Sequence, residues 1–512
     1  MDVFDLLVIG GGSSGAALAH EAVRRGLRVA VLEAQDPAIG TSSRSTKLLH
    51  GGVRYLELAF KQADPAQLKL VREALQERRH WIQQAPFLAH ELRLALPTRG
   101  LLEQLYYRAG LLAYDVLAGS NGLTPSCAIG RAQLHQALPE LSEDLSAGLV
   151  YSDGQFDDAR LNLLLLLTAQ SAGVHLQRDC RVVGFERQGD QLSAAISEAA
   201  DGSQQRWPAR CIVNATGIGA DRLRQLADPS AAPRLLVSRG SHLVLRRQLC
   251  PQQLGVLMPR TSDGRVLFVL PYYGRTLVGT TDQPCPLAEA TSVSAEEHSY
   301  LLEHLQRWFP SVTAADVACS WAGGRPLIQP DASQASSRLV REHEVERLPC
   351  GLLSLLGGKW TTCRVLAIDA LQAISAALDQ VLPPPRQLPL LGSGGDLELL
   401  RQQLLSALPD HGQRPQQAEH LIGSYGQRAL QLLAETTNPE ELQPLSAVLP
   451  VSRAEWRFNQ RHELARSSGD LLLRRSRLGM IDQAEADRLS PLATAWLESL
   501  SSASPSSHQP KP

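Results

Sequence analysis

Residues 4–34, FDLLVIGGGSSGAALAHEAVRRGLRVAVLEA, decide the fold expected for this chain. The pattern predicts a buried strand, a glycine turn, a helix of small residues and a second strand. Gly10, Gly12 and Gly15 have the GxGxxG spacing, which suits a tight turn, a backbone close to a pyrophosphate and a helix packed on the sheet. Glu33 ends the second strand, where an acid can accept hydrogen bonds from an adenosine ribose. The stretch therefore predicts dinucleotide binding, against the alternative of a plain glycine turn with an exposed glutamate.

Composition excludes several classes of function. The chain has 512 residues, 44% of them apolar, which is enough for two or three domains. Its formal net charge of -2 carries no basic excess, so no nucleic-acid partner is expected. The eight cysteines show no zinc or redox spacing, so no metal site is expected. No apolar run approaches the ~20 residues of a membrane span, and the acidic N-terminus is unlike a signal peptide.

Two further glycine turns favour FAD over NAD. VNATGIGAD, residues 213–221, and LLGGKWTTCR, residues 355–364, each follow an apolar strand and precede a helix. A large cofactor held by distant segments explains three such turns better than a single βαβ unit does. Each turn alone is a modest signal, because a strand that simply ends on glycine has the same pattern.

The remaining pattern indicates the domain organisation. Residues 63–117 are rich in Leu, Arg and Gln and are predicted to be helical, whereas residues 235–282 have strand character. A linker rich in Pro and Gly, residues 382–396, precedes a helical region that extends over residues 397–500. The tail, residues 501–512, has the composition of a disordered segment.

Several segments together resemble FAD-dependent glycerol-3-phosphate dehydrogenase. They occur in the order of that family between residues 5 and 364, and read DLLVIGGGSSGAALA, GTSSRSTKLLHGGVRYLE, YSDGQFDDARLNL, RGSHLVL, VGTTD, GGRPL and GGKWTTCR. ELARSSGDLLLRRSRLGMID, residues 463–482, is similar to the family's helical C-terminal domain. The resemblance therefore covers almost the whole chain.

The resemblance implies an α/β fold. It comprises a Rossmann-like FAD-binding domain of the glutathione-reductase type, interleaved with a substrate domain on an antiparallel sheet and followed by a helical C-terminal domain. Within residues 1–381, the expected FAD-binding segments are about 1–75, 150–235 and 340–381, and the expected substrate segments are about 76–149 and 236–339.

The resemblance also implies the cofactor-binding residues. Besides the first glycine turn and Glu33, they are Thr41, Ser42, Ser43, Lys47, Leu48, Gly217, Gly358, Lys359 and Thr362. The chain departs from the family at Ile218 and Gly219, where the family usually has Pro-Trp. That departure leaves the backbone turn plausible and puts the packing around the cofactor in question.

A phosphorylated alcohol needs cations and a base beside the flavin. Arg54, Tyr55, His242, Arg325 and Arg341 match positions that face the substrate in the family. Arginine binds phosphate oxygens through two parallel hydrogen bonds and stays charged, although any one arginine alone is more often a surface ion pair. Catalytic roles are expected for three residues, which are His242, Arg325 and Lys359.

The unperturbed pKa of histidine suits a base at physiological pH, so His242 is the expected base, with His50 or a water held by Lys359 as alternatives. The resemblance implies oxidation of sn-glycerol 3-phosphate to dihydroxyacetone phosphate, by hydride transfer from C2 to flavin N5. A quinone is the expected electron acceptor, on the cytoplasmic face of a membrane. Residues 94–119 have the composition of an interfacial helix, or of a helix packed on its own core.

Three alternatives remain at this level. The chain could be a glycerol-3-phosphate oxidase that uses O₂, or a related flavoprotein that oxidises an amino or hydroxy acid. A flavin-free sensor of polyol phosphates is the alternative outside enzymes. A homodimer is also considered.

Overall fold

The computed structural model describes residues 3–52, 65–329 and 343–503. The chain divides into two compact units, Met1–Ser393 and Gly394–Pro512. The described strands are β1 Phe4–Ile9, β2 Val29–Leu32, β3 Leu48–Leu49, β4 Ala89–Thr98, β5 Cys127–Gly130, β6 Ala147–Phe156, β7 His175–Gln177, β8 Arg181–Gln188, β9 Gln191–Glu198, β10 Gln204–Asn214, β11 Leu235–Leu245, β12 Leu254–Met258, β13 Leu267–Tyr272, β14 Arg275–Gly279, β15 Gln283–Pro284, β16 Val317–Ile328, β17 His343–Arg347 and β18 Leu353–Gly357.

The described helices of the first unit are α1 Ser13–Val23, α2 Pro65–Gln84, α3 Leu101–Ala118, α4 Arg131–Ala137, α5 Asp158–Ser171, α6 Ala220–Ala227, α7 Ala295–Gln306 and α8 Cys363–Leu378. Those of the second unit are α9 Leu397–Ala407, α10 Arg414–Tyr425, α11 Arg428–Glu435, α12 Arg453–His462 and α13 Gln483–Ala503. The rest of the predicted disordered tail, after Ala503, lies outside the described residues. Within the described ranges, no helix combines the length and the apolar character needed to cross a bilayer.

The first sheet of the larger unit has β1 at its centre. Its strand order is β17-β18-β10-β1-β2-β7, with β8 and β9 attached beside β10. The pairs of β1 with β2 and with β10 are both parallel, and Leu6, Leu7 and Val8 are fully buried. A strand covered on both faces in this way must be continuously apolar, as this one is. Helix α1 packs against α5 and α8.

The second sheet is largely antiparallel. Its order is β15-β11-β14-β13-β12-β4-β6-β3, with β16 paired to β11 and β5 to β6. Only one of its described pairs, β12 with β4, is parallel. The predicted fold class is therefore confirmed: a Rossmann-like α/β part, an antiparallel sheet and a helical C-terminal region. The division of residues 1–381 into FAD-binding and substrate segments remains a prediction.

The prediction of continuous helix over residues 63–117 is wrong in its middle. Strand β4 separates α2 from α3, and it pairs with both β6 and β12. Leu92, Leu94 and Leu96 are all buried, at the alternating spacing of a strand. The composition of the flanking helices conceals this short alternation, which only the pairing partners make stable.

Two partly buried histidines predict a loss of stability in acid. Burial lowers the pKa of His20 on α1 and of His80 on α2 from 6.5 to about 4, and both side chains line one small cavity. Between pH 6.5 and 4 the unfolded chain therefore binds protons that the folded chain does not, so stability falls as the pH falls. The loss at pH 4 is up to about 3 kcal/mol per histidine.

Urea unfolding across this pH range measures the effect. We expect the double variant His20→Gln/His80→Gln to show a flatter dependence of the urea midpoint on pH than the wild type. Equal acid sensitivity of the two proteins would contradict the assignment.

Candidate active site

One cavity of about 2050 Å³ in the larger unit contains most of the predicted site. The predicted residues that line it are Gly10, Gly12, Glu33, Thr41, Ser42, Leu48, Gly217, His242, Arg325, Gly358 and Lys359. Gly15, Ser43, Lys47 and Thr362 do not line it. Arg54, Tyr55 and Arg341 lie outside the described residues.

The first glycine turn brings the N-terminus of α1 to this cavity. Gly10 has φ of +111°, and a Cβ there would lie 2.5 Å from the Ala215 carbonyl oxygen. A Cβ on Gly15 would lie 2.0 Å from the Gly10 carbonyl oxygen, so no other residue permits this approach of helix to strand. Gly12 is the N-cap of α1, and both Gly12 and Ser13 line the cavity. A helix N-terminus with no large side chain in front of it fits a pyrophosphate.

Glu33 is held in place at the end of β2. Its carboxylate accepts hydrogen bonds from the Gly11 N–H at 2.7 Å and the Gln35 N–H at 2.9 Å. Burial raises the pKa of Glu33, and these two hydrogen bonds act in the opposite direction. The glutamate therefore reaches the cavity from a rigid position, as a ribose-binding acid requires.

The second glycine turn follows β10. Asn214 orients it, because its side-chain oxygen accepts a hydrogen bond from the Thr216 hydroxyl at 2.7 Å and its amide donates to the Ala220 carbonyl at 3.0 Å. Gly217 has φ of +58°. Ile218, at the departure from the family, lies against β16, since a Cβ on Gly324 would be 3.3 Å from its Cδ1. The turn thus forms without the Pro-Trp pair.

Residues 41–43 form a 3-10 turn that joins three parts of the site. The Thr41 hydroxyl donates to the Gly324 carbonyl at 2.5 Å, and the Ser42 hydroxyl accepts from the Ser13 N–H at 2.9 Å. Trp360 of the third glycine turn donates its indole N–H to the Ser42 carbonyl at 2.9 Å. The small hydroxyl residues therefore connect α1, β16 and the segment before α8.

Lys47 forms a buried ion pair instead of lining the cavity. Its Nζ lies 2.7 Å from the Asp158 carboxylate and 2.8 Å from the Ser43 carbonyl. The same ammonium lies 4.7 Å from the centroid of the Trp321 ring. Its charge therefore acts on the site through neighbouring groups and not by direct exposure to the cavity.

His242 is buried in the cavity wall on β11. Its Nε2 lies 3.0 Å from the Thr46 hydroxyl, and its ring stacks on Trp321 with 4.1 Å between the centroids. Burial, followed by the charges of Lys47 and Arg325, lowers the pKa of His242 well below 6.5. The imidazole is therefore neutral at physiological pH and able to accept a proton.

Arg325 projects from β16 beside the end of β14. Its guanidinium donates to the Thr281 carbonyl at 3.0 Å and to the Thr280 hydroxyl at 3.1 Å. A Cβ on Gly240 would lie 2.4 Å from the Arg325 Nη2, so the glycine makes room for the guanidinium. About one third of the Arg325 side chain remains exposed, and its Nη1 lies 3.4 Å from the carboxylate of Asp282.

Sequence reasoning missed several supporting residues. Asn162 donates its side-chain amide to the Gly11 carbonyl at 2.8 Å, and Asp158 binds both Lys47 and the Ser45 N–H. Both occur in YSDGQFDDARLNL, which was used only to identify the family. Neither has a local pattern of its own that shows which distant backbone it contacts.

The comparisons with known proteins agree with this geometry. Residues 5–359 match the FAD dependent oxidoreductase family, and residues 385–504 match the C-terminal domain of alpha-glycerophosphate oxidase. A probable mitochondrial glycerol-3-phosphate dehydrogenase of Dictyostelium discoideum is 35% identical over 94% of this chain and 78% of its own length. The human mitochondrial glycerol-3-phosphate dehydrogenase is 34% identical over 95% of this chain and 69% of its own length.

A solved structure is also similar to this chain over most of its length. The glycerol-3-phosphate dehydrogenase of Bacillus halodurans, crystallised with FAD, has a TM-score of 0.77 and 25% identity, and the match covers 98% of this chain and 92% of that one. The predicted cofactor, FAD, is thereby confirmed. The chain belongs to the family of FAD-dependent glycerol-3-phosphate dehydrogenases.

Proposed function

We propose that the protein oxidises sn-glycerol 3-phosphate to dihydroxyacetone phosphate. The observation that carries the proposal is that His242 and Arg325 line the same cavity as the glycine turns. FAD, when bound, supplies at flavin N5 the acceptor for the hydride from C2. The C2 hydroxyl loses its proton to a base, and the C2–O bond becomes a carbonyl.

His242 is the proposed base. It is held by Thr46 and by the Trp321 ring, and its lowered pKa keeps it neutral over the physiological range. Nearby cations also favour the oxyanion that develops on the substrate as the proton leaves. Lys359 lines the cavity and is proposed to act in this way, together with Arg325.

Of the arginines predicted to bind the phosphate, Arg325 lies within the described residues. Its planar guanidinium can form two parallel hydrogen bonds to a phosphate, and its partners Thr280 and Thr281 limit its movement. Arg54, Tyr55 and Arg341 stay predictions for the same role. An amino or hydroxy acid carries a carboxylate, which needs fewer cations than a phosphate dianion does.

Helix α3 supports membrane contact and a quinone acceptor. Six of its apolar and aromatic side chains are between 49% and 84% exposed, and they are Leu101, Leu102, Leu105, Tyr106, Leu112 and Val116. Other residues of the same helix, including Gly110 and Leu111, line the cavity. A helix that is apolar outside and borders the redox site fits a surface through which a lipid-soluble acceptor enters. We propose a peripheral position on the cytoplasmic face of a membrane; the homodimer stays a prediction.

Anaerobic reduction tests the substrate. We expect sn-glycerol 3-phosphate to bleach the flavin absorbance of the purified protein, and glycerol or an amino acid to leave it unchanged.

In Arg325→Ala, KM for the phosphate ester should rise by about 10- to 150-fold with FAD retained, because a charged hydrogen bond contributes about 1.5–3 kcal/mol. Arg246→Ala is the control, since Arg246 binds the Ala315 and Val317 carbonyls and does not line the cavity.

Bleaching by glycerol or by the amino acid alone would contradict the proposed substrate. Re-oxidation then identifies the acceptor: we expect a quinone analogue to restore the flavin absorbance faster than O₂ does. Rapid re-oxidation by O₂ with peroxide release would favour the oxidase alternative. The family matched by the C-terminal region is named after such an oxidase.

The base assignment predicts a pH profile. Because His242 must be neutral to accept a proton and its pKa lies well below 6.5, kcat/KM should stay flat as the pH falls to 6.5 and decline only in more acidic solution. His242→Gln should lower kcat by about 10²–10⁴-fold. If His50→Gln causes that loss and His242→Gln does not, the assignment is wrong.

The membrane proposal predicts a change in vesicle binding. Leu102→Glu/Val116→Glu should lower co-flotation with phosphatidylglycerol-containing vesicles by roughly tenfold or more, because each exposed apolar side chain contributes about 1.5–3 kcal/mol when buried. Leu399→Glu, at another exposed leucine, is the matched control. Equal flotation of all three proteins would exclude α3 as the contact.

A further inference from the structure

Gly51 is held by side chains from distant parts of the chain. Its N–H donates to the Tyr114 hydroxyl at 2.9 Å, and the Asp153 carboxylate lies 3.3 Å away. A Cβ on Gly51 would lie 2.4 Å from the Tyr114 oxygen, so only glycine lets the phenol approach. The neighbours of Gly51 in the chain, His50 and Gly52, both line the cavity. Whatever holds Gly51 therefore also places part of the cavity wall.

The group that holds Gly51 is a connected cluster of three side chains, the positioning cluster: Arg78 on α2, Tyr114 on α3 and Asp153 on β6. The Tyr114 hydroxyl donates to the Asp153 carboxylate at 2.7 Å, and Arg78 Nη1 donates to the same oxygen at 2.8 Å. Arg78 also donates to the Ser152 carbonyl at 2.9 Å. The tyrosine oxygen thus accepts from Gly51 and donates to Asp153, which fixes its orientation.

The sheet brings the cluster and the glycine together. Strand β3 pairs with β6 so that Leu49 lies opposite Gly154, one residue from Asp153. Gly51 follows two residues after Leu49. Helices α2 and α3 supply the other two residues of the cluster, Arg78 and Tyr114. No pair in this cluster is closer than 36 residues in sequence.

Stability alone does not explain the cluster. The Arg78 and Asp153 side chains are at most 2% exposed, and among the described residues the Arg78 Nε has no hydrogen-bond partner. A buried ion pair is commonly no more stabilising than well-packed apolar residues of similar size, because both charges lose their hydration. An unsatisfied guanidinium nitrogen adds to that cost. The arrangement is better explained by what it positions, and Asp153 itself lines the cavity.

We propose that Arg78, Tyr114 and Asp153 position the Gly51 backbone, and with it His50 and Gly52, and that the part of the cavity wall preformed in this way contacts the substrate. The three act through the backbone of Gly51 as positioning residues. The inference rests on the proposed function for the identity of the substrate. A preformed wall lowers the cost of ordering the site when the substrate binds, so its loss appears mainly in KM.

Tyr114→Phe is the test variant, because it removes one hydroxyl and leaves the ring. We expect KM for sn-glycerol 3-phosphate to rise by about five- to fiftyfold, while kcat changes by less than about threefold and FAD stays bound. Hydrogen–deuterium exchange should become faster in the peptide that covers residues 48–52. Asp153→Asn, which keeps the side-chain shape, should move both measurements in the same direction.

Tyr425→Phe is the matched control. Tyr425 is a buried tyrosine of the second unit, and it does not line the cavity. Its hydroxyl lies 3.2 Å from the Glu455 carboxylate and 3.1 Å from the Asn459 side-chain oxygen. Loss of the Tyr425 hydroxyl should lower the thermal midpoint by an amount similar to that caused by Tyr114→Phe. It should change neither KM nor the hydrogen–deuterium exchange of residues 48–52.

Each outcome decides the inference. Unchanged exchange at residues 48–52 in Tyr114→Phe would show that the cluster does not hold Gly51. Faster exchange with an unchanged KM would show that residues 48–52 do not position the substrate site. If sn-glycerol 3-phosphate fails to reduce the wild-type flavin, the proposed function fails, and the exchange measurement still decides whether the cluster anchors Gly51.

Discussion

The close contact between α1 and β1 at Gly15 is the constraint on which the cofactor site depends. A Cβ at this position would overlap the Gly10 carbonyl, so the helix can begin directly after the strand only with glycine there. This contact places the N-terminus of α1 in the cavity, where Ser42 meets the Ser13 N–H and Asn162 meets the Gly11 carbonyl. Two distant segments thus meet at the start of one helix, and a glycine turn of this kind is the arrangement that dinucleotide binding requires.

Buried charge sets the chemistry at the other end of the cavity. Lys47 and Asp158 form an ion pair away from the cavity surface, and Lys47 lies over Trp321, the ring on which His242 stacks. The lysine therefore contributes to the low pKa of His242 without lining the cavity. Arg325 adds a second positive charge from the opposite strand, β16. These cations keep His242 neutral, and they also favour an anion in this part of the cavity.

Local patterns predicted the parts of the structure that depend on local physics. The glycine turn at Gly10 is a steric property of a few consecutive residues, and the buried strand before it is visible as an apolar run. The alternation of Leu92, Leu94 and Leu96 is equally local, but helix-forming neighbours conceal it. Lys47 stays a prediction as a cofactor-binding residue, and its ion pair with a carboxylate 111 residues away was not predicted. No periodicity in a sequence reports a contact at that separation.

By itself, the sequence determined the first strand and the glycine turns, because these follow from backbone sterics and hydrophobic periodicity over short stretches. It determined the α/β class through the resemblance to the family, and FAD binding through that resemblance and the three widely spaced glycine turns. The tertiary structure alone decided which charges meet: Lys47 with Asp158, and Arg78 with Asp153 beneath Gly51. It also decided that His242 is neutral, since burial and two cations from other segments lower its pKa. The physical reason is that pKa values and ion pairs depend on distance and hydration in the folded chain, and strand pairing sets both.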